Sequence, residues 1–228
     1  MRIAGLTKSS LIDFPGKIAA VVFVSGCNYD CFYCHNRALL DGRHEAVKKS
    51  EVVDFLHSRR GLLDGVVISG GEPTLNSDLP EFIGEVRALG FAVKLDTNGS
   101  NPAMVRRLAE GGLIDYVSVD YKTPGGDYRK FCGSAASYET TLQTISFLVE
   151  CDFDFEVRTT LIPQIGEGQL VKIAGELPKL PRYVINRFRI PDSYRMSDEA
   201  LLRQPAALTW DTARIKTVLS PIQPNVII

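Results

Sequence analysis

Apolar, β-branched runs recur along the chain and alternate with stretches whose apolar residues return at helical spacing. The runs Ile18–Val24, Gly65–Ser69, Phe91–Asp96, Tyr116–Asp120, Phe153–Leu161 and Tyr183–Arg189 predict strands. Several are almost continuously apolar, as parallel strands covered on both faces are. Between them the pattern predicts helices over Ser50–Arg60, Asp78–Leu89, Asn101–Glu110, Ser137–Glu150, Gln169–Leu177 and Thr209–Leu219. In the first of these Val52, Val53 and Leu56 share one side, with Ser50 as a cap and Glu51 in the first turn. The second stops at Gly90, and the third has Pro102 in its first turn and Gly111-Gly112 past its end. Strand then helix, six times over, implies parallel strands joined by right-handed crossovers. The expectation is an α/β fold, an incomplete (β/α)6 TIM-like barrel with parallel strands rather than a flat doubly wound sheet. No repeat, low-complexity tract or flexible linker interrupts the pattern, so residues 1–228 are expected to form one domain.

Composition narrows the function classes. At 45% apolar residues the 228-residue chain buries a core without disulfide staples. A formal charge of -1 gives no basic field for nucleic acid or anionic lipid. Residues 1–10 lack the apolar core of a signal peptide, and Ile18–Val24 is far shorter than the ~20 residues that cross a bilayer. The expectation is a cytoplasmic protein with no membrane or nucleic-acid partner. Five cysteines, three of them crowded together, read as metal ligation in a reducing compartment rather than a disulfide framework.

Those three are Cys27, Cys31 and Cys34, spaced by four and three residues in a loop directly after the first apolar run. An iron–sulfur cube is closed by four thiolates; with three, one iron keeps an open, reactive position. Barrels of this kind carry their chemistry in the loops after the strands. The other predicted strands likewise end in polar groups: Ser69-Gly70-Gly71-Glu72-Pro73, Asp96-Thr97-Asn98-Gly99, Asp120-Tyr121-Lys122, Arg158 with Thr159 and Thr160, and Asn186-Arg187-Phe188-Arg189.

Each group has a plainer reading. Gly70-Gly71 alone is an ordinary tight turn; the functional alternative is bare backbone for a close ligand, with Glu72 holding an ammonium group. Asp96-Thr97-Asn98-Gly99 reads as a turn and cap, and Asp120 with Lys122 as a surface pair of little worth. Arg158, inside an apolar strand, needs a partner, which a structural pairing with a nearby carboxylate would supply. Cys27, Cys31, Cys34 and His35 could make a zinc set, but adjacent residues rarely both reach one tetrahedral metal, and softness and spacing favour iron. Cys132 and Cys151 read as ordinary packed or partly exposed thiols, and His44 and His57 as surface residues.

Cys-x3-Cys-x2-Cys, with aromatic Tyr33 before the last cysteine, resembles the cluster motif of radical S-adenosylmethionine enzymes. Ser69-Gly70-Gly71-Glu72-Pro73 is similar to their methionine-binding stretch. Asp13-Phe14-Pro15-Gly16, Cys34-His35-Asn36 and Leu95-Asp96-Thr97-Asn98-Gly99 resemble the glycyl radical enzyme activating enzymes, in particular those for anaerobic ribonucleoside-triphosphate reductase. The resemblance runs from Asp13 to about Arg189. It implies a 4Fe–4S cluster on Cys27, Cys31 and Cys34, with S-adenosylmethionine on the fourth iron. Tyr33 would lie by the adenine, and Gly70, Gly71 and Glu72 by the methionine ammonium. Asp96, Thr97 and Asp120 match positions that frame a monovalent cation in a relative, Lys122 and Arg158 match positions near the cofactor, and Asp13 would face the substrate peptide.

The implied activity is reductive cleavage of S-adenosylmethionine and hydrogen abstraction from a glycine of a partner enzyme, with a flavodoxin- or ferredoxin-type reductant. Phe14 stands where many relatives have glycine. No cysteine lies between Asn36 and Asp64, so a single cluster is expected, and a cofactor-contacting histidine of a relative falls at Arg189. Two alternatives stand beside this. One is a radical enzyme acting on a small molecule or peptide, similar to 7-carboxy-7-deazaguanine synthase; the other is a non-catalytic iron–sulfur or zinc-binding protein.

Overall fold

A computed structural model describes residues 1–40 and 45–228; His44 lies outside the described residues. The strands are β1 (Ile3–Ser10), β2 (Ala19–Val24), β3 (Gly65–Gly70), β4 (Ala92–Thr97), β5 (Tyr116–Asp120), β6 (Phe155–Leu161), β7 (Tyr183–Arg187) and β8 (Val226–Ile227). The helices are α1 (Arg37–Leu40), α2 (Lys49–Ser58), α3 (Leu79–Ala88), α4 (Pro102–Glu110), α5 (Tyr128–Cys132), α6 (Tyr138–Glu150), α7 (Glu167–Glu176), α8 (Glu199–Leu202) and α9 (Thr212–Leu219). Among the described residues, strand order in the sheet follows chain order from β1 to β8. A doubly wound sheet reverses its order at a switch point. Sequential order belongs instead to the α/β barrel family, in agreement with the expected fold class. Among the described residues no helix is long and apolar enough to cross a membrane.

The chain packs as two compact units. The first comprises Met1–Cys27, Ala38–Thr97 and Ala103–Ser118; the second comprises Asn28–Arg37, Asn98–Pro102 and Val119–Ile228.

In the first unit β2 pairs parallel with β3 from Ala19↔Gly65 to Val24↔Gly70, and β3 with β4 from Gly65↔Ala92 to Ile68↔Leu95. Ala19, Ala20, Val22, Val24, Val66, Val67 and Ile68 are wholly buried, which is why these segments read as apolar runs. Phe14 is buried against Ala19, Val21 and Val67, with its ring 6.2 Å from that of Tyr116. Strand β1 was not expected. It pairs antiparallel with β2 and is half-exposed, so Ile3–Ser10 carries no continuous apolar signal. The expected cap at Ser50 is also corrected: α2 is preceded by Lys48, and no side chain caps it.

In the second unit β6 pairs parallel with β7, and β7 with β8. Helix α6 starts at the expected Ser137, whose Oγ accepts from the Thr140 N–H at 3.3 Å. The backbone N–H of Gly166 donates to Gln169 Oε1 at 3.2 Å, which starts α7 two residues before the expected Gln169. Asp211 caps α9 by accepting from the Arg214 N–H at 3.1 Å, which moves that start from Thr209 to Thr212.

Candidate functional site

The end of β3 in the first unit explains its two glycines. Gly70 has φ +112°, a region that L side chains rarely adopt, and a Cβ there would lie 2.4 Å from the Val24 amide nitrogen. A Cβ on Gly71 would lie 1.9 Å from the Gly26 carbonyl oxygen. The chain's own backbone therefore forbids side chains at 70 and 71. The Gly71 N–H donates to Val24 O and the Glu72 N–H to Gly26 O, both at 2.8 Å. The Gly-Gly-Glu turn is thus laced to the residue before Cys27.

Glu72 is wholly buried. Its Oε1 accepts from the Thr74 N–H at 3.1 Å, from the Thr74 hydroxyl, and from the Thr97 hydroxyl at 2.7 Å. These donors fix the carboxylate direction and supply the bonds that a buried charge requires. Asp96 lies on the same strand as Thr97. The Ser69 hydroxyl donates to its Oδ2 at 3.0 Å, and the Lys94 ammonium donates to Oδ1. Lys94 is only 1% exposed. Asp13 donates its backbone N–H to Ser10 Oγ at 3.2 Å, in a turn that exposes Leu11 and Ile12.

Cys31 and Cys34 belong to the second unit, in a loop tied to α5. The Asp30 N–H donates to Cys132 O at 2.8 Å and the Phe32 N–H to Phe131 O at 3.3 Å. The buried Arg37 guanidinium pairs with Asp30 and donates to Cys31 O at 2.6 Å. Cys31 and Tyr33 are buried, with the Tyr33 ring edge-on to Phe32 at 5.1 Å. A hydrogen bond with Cys132, and then burial, push the Cys31 thiol up. Burial raises Cys34, opposed first by a hydrogen bond with the Asn36 backbone and then by the charges of Lys122 and Arg37. Burial likewise raises Tyr33. Cys132 was not expected to touch the motif; nothing in its spacing from Cys31 signals the contact.

Asp120 pairs with Lys122 Nζ at 3.1 Å and with Arg158 Nε at 3.0 Å. Burial pushes its carboxyl up, but the two cations outweigh burial and hold it at about 2. Burial works against the Lys122 ammonium, and Asp120 more than compensates. Asp120 is the ion-pair partner that the plain reading of Arg158 asks for; its pairing with Lys122 forms as well, but with both side chains largely covered it is not the surface pair of that reading. The Lys122 ammonium partly opposes the rise of Cys31 and Cys34, while Asp120 adds to that of Cys31. Arg189 lies beyond β7 and is exposed.

The donor set fits an iron–sulfur cluster in chemical type. Cys27, Cys31 and Cys34 are outside any disulfide, and thiolates are the ligands such clusters take. His35 is exposed while Cys31 is buried, which gives no support to a zinc set that includes His35. Among the described residues no three His, Cys, Asp or Glu side chains form a group that could hold a metal ion. The fit therefore rests on ligand type and spacing.

The Radical SAM superfamily model matches residues 21–177. A protein of Methanocaldococcus jannaschii named for glycyl-radical enzyme activation is 32% identical over 235 residues, covering 99% of this chain and 95% of that protein. A Halobacterium salinarum protein named as a GTP 3',8-cyclase is 26% identical over 79% of this chain, which spans only 57% of that protein. Among solved structures, Streptococcus suis SuiB bound to S-adenosylmethionine matches with a TM-score of 0.61 at 15% identity, over 87% of this chain and 47% of that one.

Proposed function

The chain belongs to the radical SAM superfamily, a family of enzymes built around a 4Fe–4S cluster and S-adenosylmethionine, and from that premise we propose that it activates a glycyl radical enzyme. The observation that carries this reading is the end-to-end likeness to the Methanocaldococcus jannaschii protein named for that activity, over 99% of this chain and 95% of that one. A bound cluster would supply the one-electron reduction that cleaves S-adenosylmethionine, and with it the hydrogen-abstracting power needed at a glycine of the partner.

The chain's own residues then have these tasks, with residues 1–228 working as one catalytic domain. Cys27, Cys31 and Cys34 hold the cluster, and Lys122 places positive charge beside the latter two. Glu72 accepts the methionine ammonium, aimed by Thr97 and Thr74. Gly70 and Gly71 keep the turn that carries Glu72 against Gly26. Tyr33 offers its buried ring to the adenine, and Asp96, Asp120 and Arg158 complete the cofactor side. Asp13, beside the exposed Leu11 and Ile12, faces the partner. A flavodoxin- or ferredoxin-type protein delivers the electron.

The likeness to a GTP 3',8-cyclase favours a second reading, a small-molecule substrate. The test is anaerobic reconstitution with iron and sulfide, followed by reduction with S-adenosylmethionine and candidate glycyl radical enzymes. The expected result is a glycine-centred paramagnetic signal in one of them. Turnover of a nucleotide, with no such signal in any candidate, would replace the first reading by the second.

A further inference from the structure

Lys94, in the first unit, is a deeply buried lysine at 1% exposure. It sits in the interior of β4, two residues before Asp96, so both side chains leave the same face of the strand. Across the register Val67↔Lys94, the neighbouring strand β3 presents Val67 and then Ser69. The ammonium is ion-paired to Asp96 Oδ1, while the Ser69 hydroxyl holds Oδ2 at 3.0 Å. An ammonium so buried is costly, and an apolar side chain of similar volume often serves stability as well or better. Lys94 is explained if a carboxylate must be kept ionised at the end of β4.

We propose that Lys94 is a built-in counter-cation, a positioning residue that neutralises and orients Asp96 and makes an exchangeable monovalent cation unnecessary there. Both carboxylates expected to frame such a cation already have a cationic partner: Asp96 has Lys94, and Asp120 has Lys122 and Arg158. With its charge cancelled, Asp96 can stand near the carboxylate of an amino-acid-like ligand without like-charge repulsion. This inference rests on the reading of Asp96 as a cofactor-side residue.

The test compares the wild type, Lys94→Met and the double variant Lys94→Met/Asp96→Asn in potassium chloride and in choline chloride at equal ionic strength. Thermal melting of the cluster-free protein is one readout, and equilibrium dialysis of S-adenosylmethionine against the reconstituted protein is the other. The wild type is expected to show the same melting temperature and affinity in both salts. Lys94→Met should melt higher in potassium and bind S-adenosylmethionine about tenfold more tightly there, since potassium replaces the lost charge. The double variant should respond to neither salt. A Lys94→Met chain that unfolds in both salts while the double variant folds also supports the inference, because the uncompensated carboxylate is then at fault. A potassium-dependent wild type, or a Lys94→Met variant indifferent to the salt, overturns it. Failure of every form to bind S-adenosylmethionine would instead defeat the functional reading, and the melting data would still decide the role of Lys94.

Discussion

Gly71→Ala is a severe perturbation with a calculable cause. The added Cβ would start 1.9 Å from the Gly26 carbonyl oxygen, against a floor of 3.0 Å for real Cβ contacts. Both partners are backbone, so no side chain can turn away. The strand end must open by at least about an ångström, which strains the packing around it. That movement also breaks the 2.8 Å bond from the Glu72 N–H to Gly26 O. Overpacking costs about 1–3 kcal/mol, and a stranded buried polar group about as much again. The expected loss is therefore about 2–6 kcal/mol, read by urea unfolding of the cluster-free protein. Iron retention after reconstitution should fall as well, because the displaced Gly26 precedes Cys27. Gly84→Ala is the control: it lies inside α3 with nothing within 4 Å of its Cβ, and helix propensity predicts a gain of about 1 kcal/mol. If Gly71→Ala were as harmless as Gly84→Ala, the argument that backbone crowding requires this glycine would be wrong.

Other outcomes follow from the same geometry. Asp120 has a folded value of about 2 against an ordinary 3.8, so its stabilisation is present above about pH 4 and is lost as pH falls toward 2. Discounted for its one-third exposure, Asp120→Asn should cost about 1–2 kcal/mol at pH 6. The gap to wild type should close by about pH 2 in chemical unfolding; a gap that stays constant through this range would contradict the assignment. Phe14→Ala should cost about 3 kcal/mol, because the ring is 3% exposed and packs on β2 and β3. A loss below about 1 kcal/mol in urea unfolding would mean the residue does not anchor the turn that carries Asp13.

The parts of the fold legible in the sequence were those that bury both faces of a strand. Ala19–Val24 and Gly65–Gly70 read as strands because nearly every side chain is inside. Strand β1 escaped because it is half-exposed, and β8 because Val226–Ile227 is too short to show a period. Helix starts shifted where a backbone donor, as at Gly166, or an unremarked aspartate, as at Asp211, supplied the cap. Candidate polar residues were legible because they cluster at strand ends, yet their internal pairing was not. Thr97 bonds Glu72 across 25 residues, and Cys132 meets Cys31 across a hundred; neither separation has a sequence signature. Lys94 did carry a signal: a lysine in an apolar run, in step with Asp96, warrants the question asked of Arg158.

The central claim is a cluster held by three thiolates with one iron open to S-adenosylmethionine. Its most direct measurement is Mössbauer spectroscopy of the anaerobically reconstituted, iron-57-labelled protein, with and without S-adenosylmethionine. The account predicts one 4Fe–4S cluster per chain in which a single iron changes its parameters when S-adenosylmethionine is added, and loss of that cluster in Cys31→Ala. A metal centre whose every site is already ligated, with a spectrum that S-adenosylmethionine leaves unchanged, would contradict it.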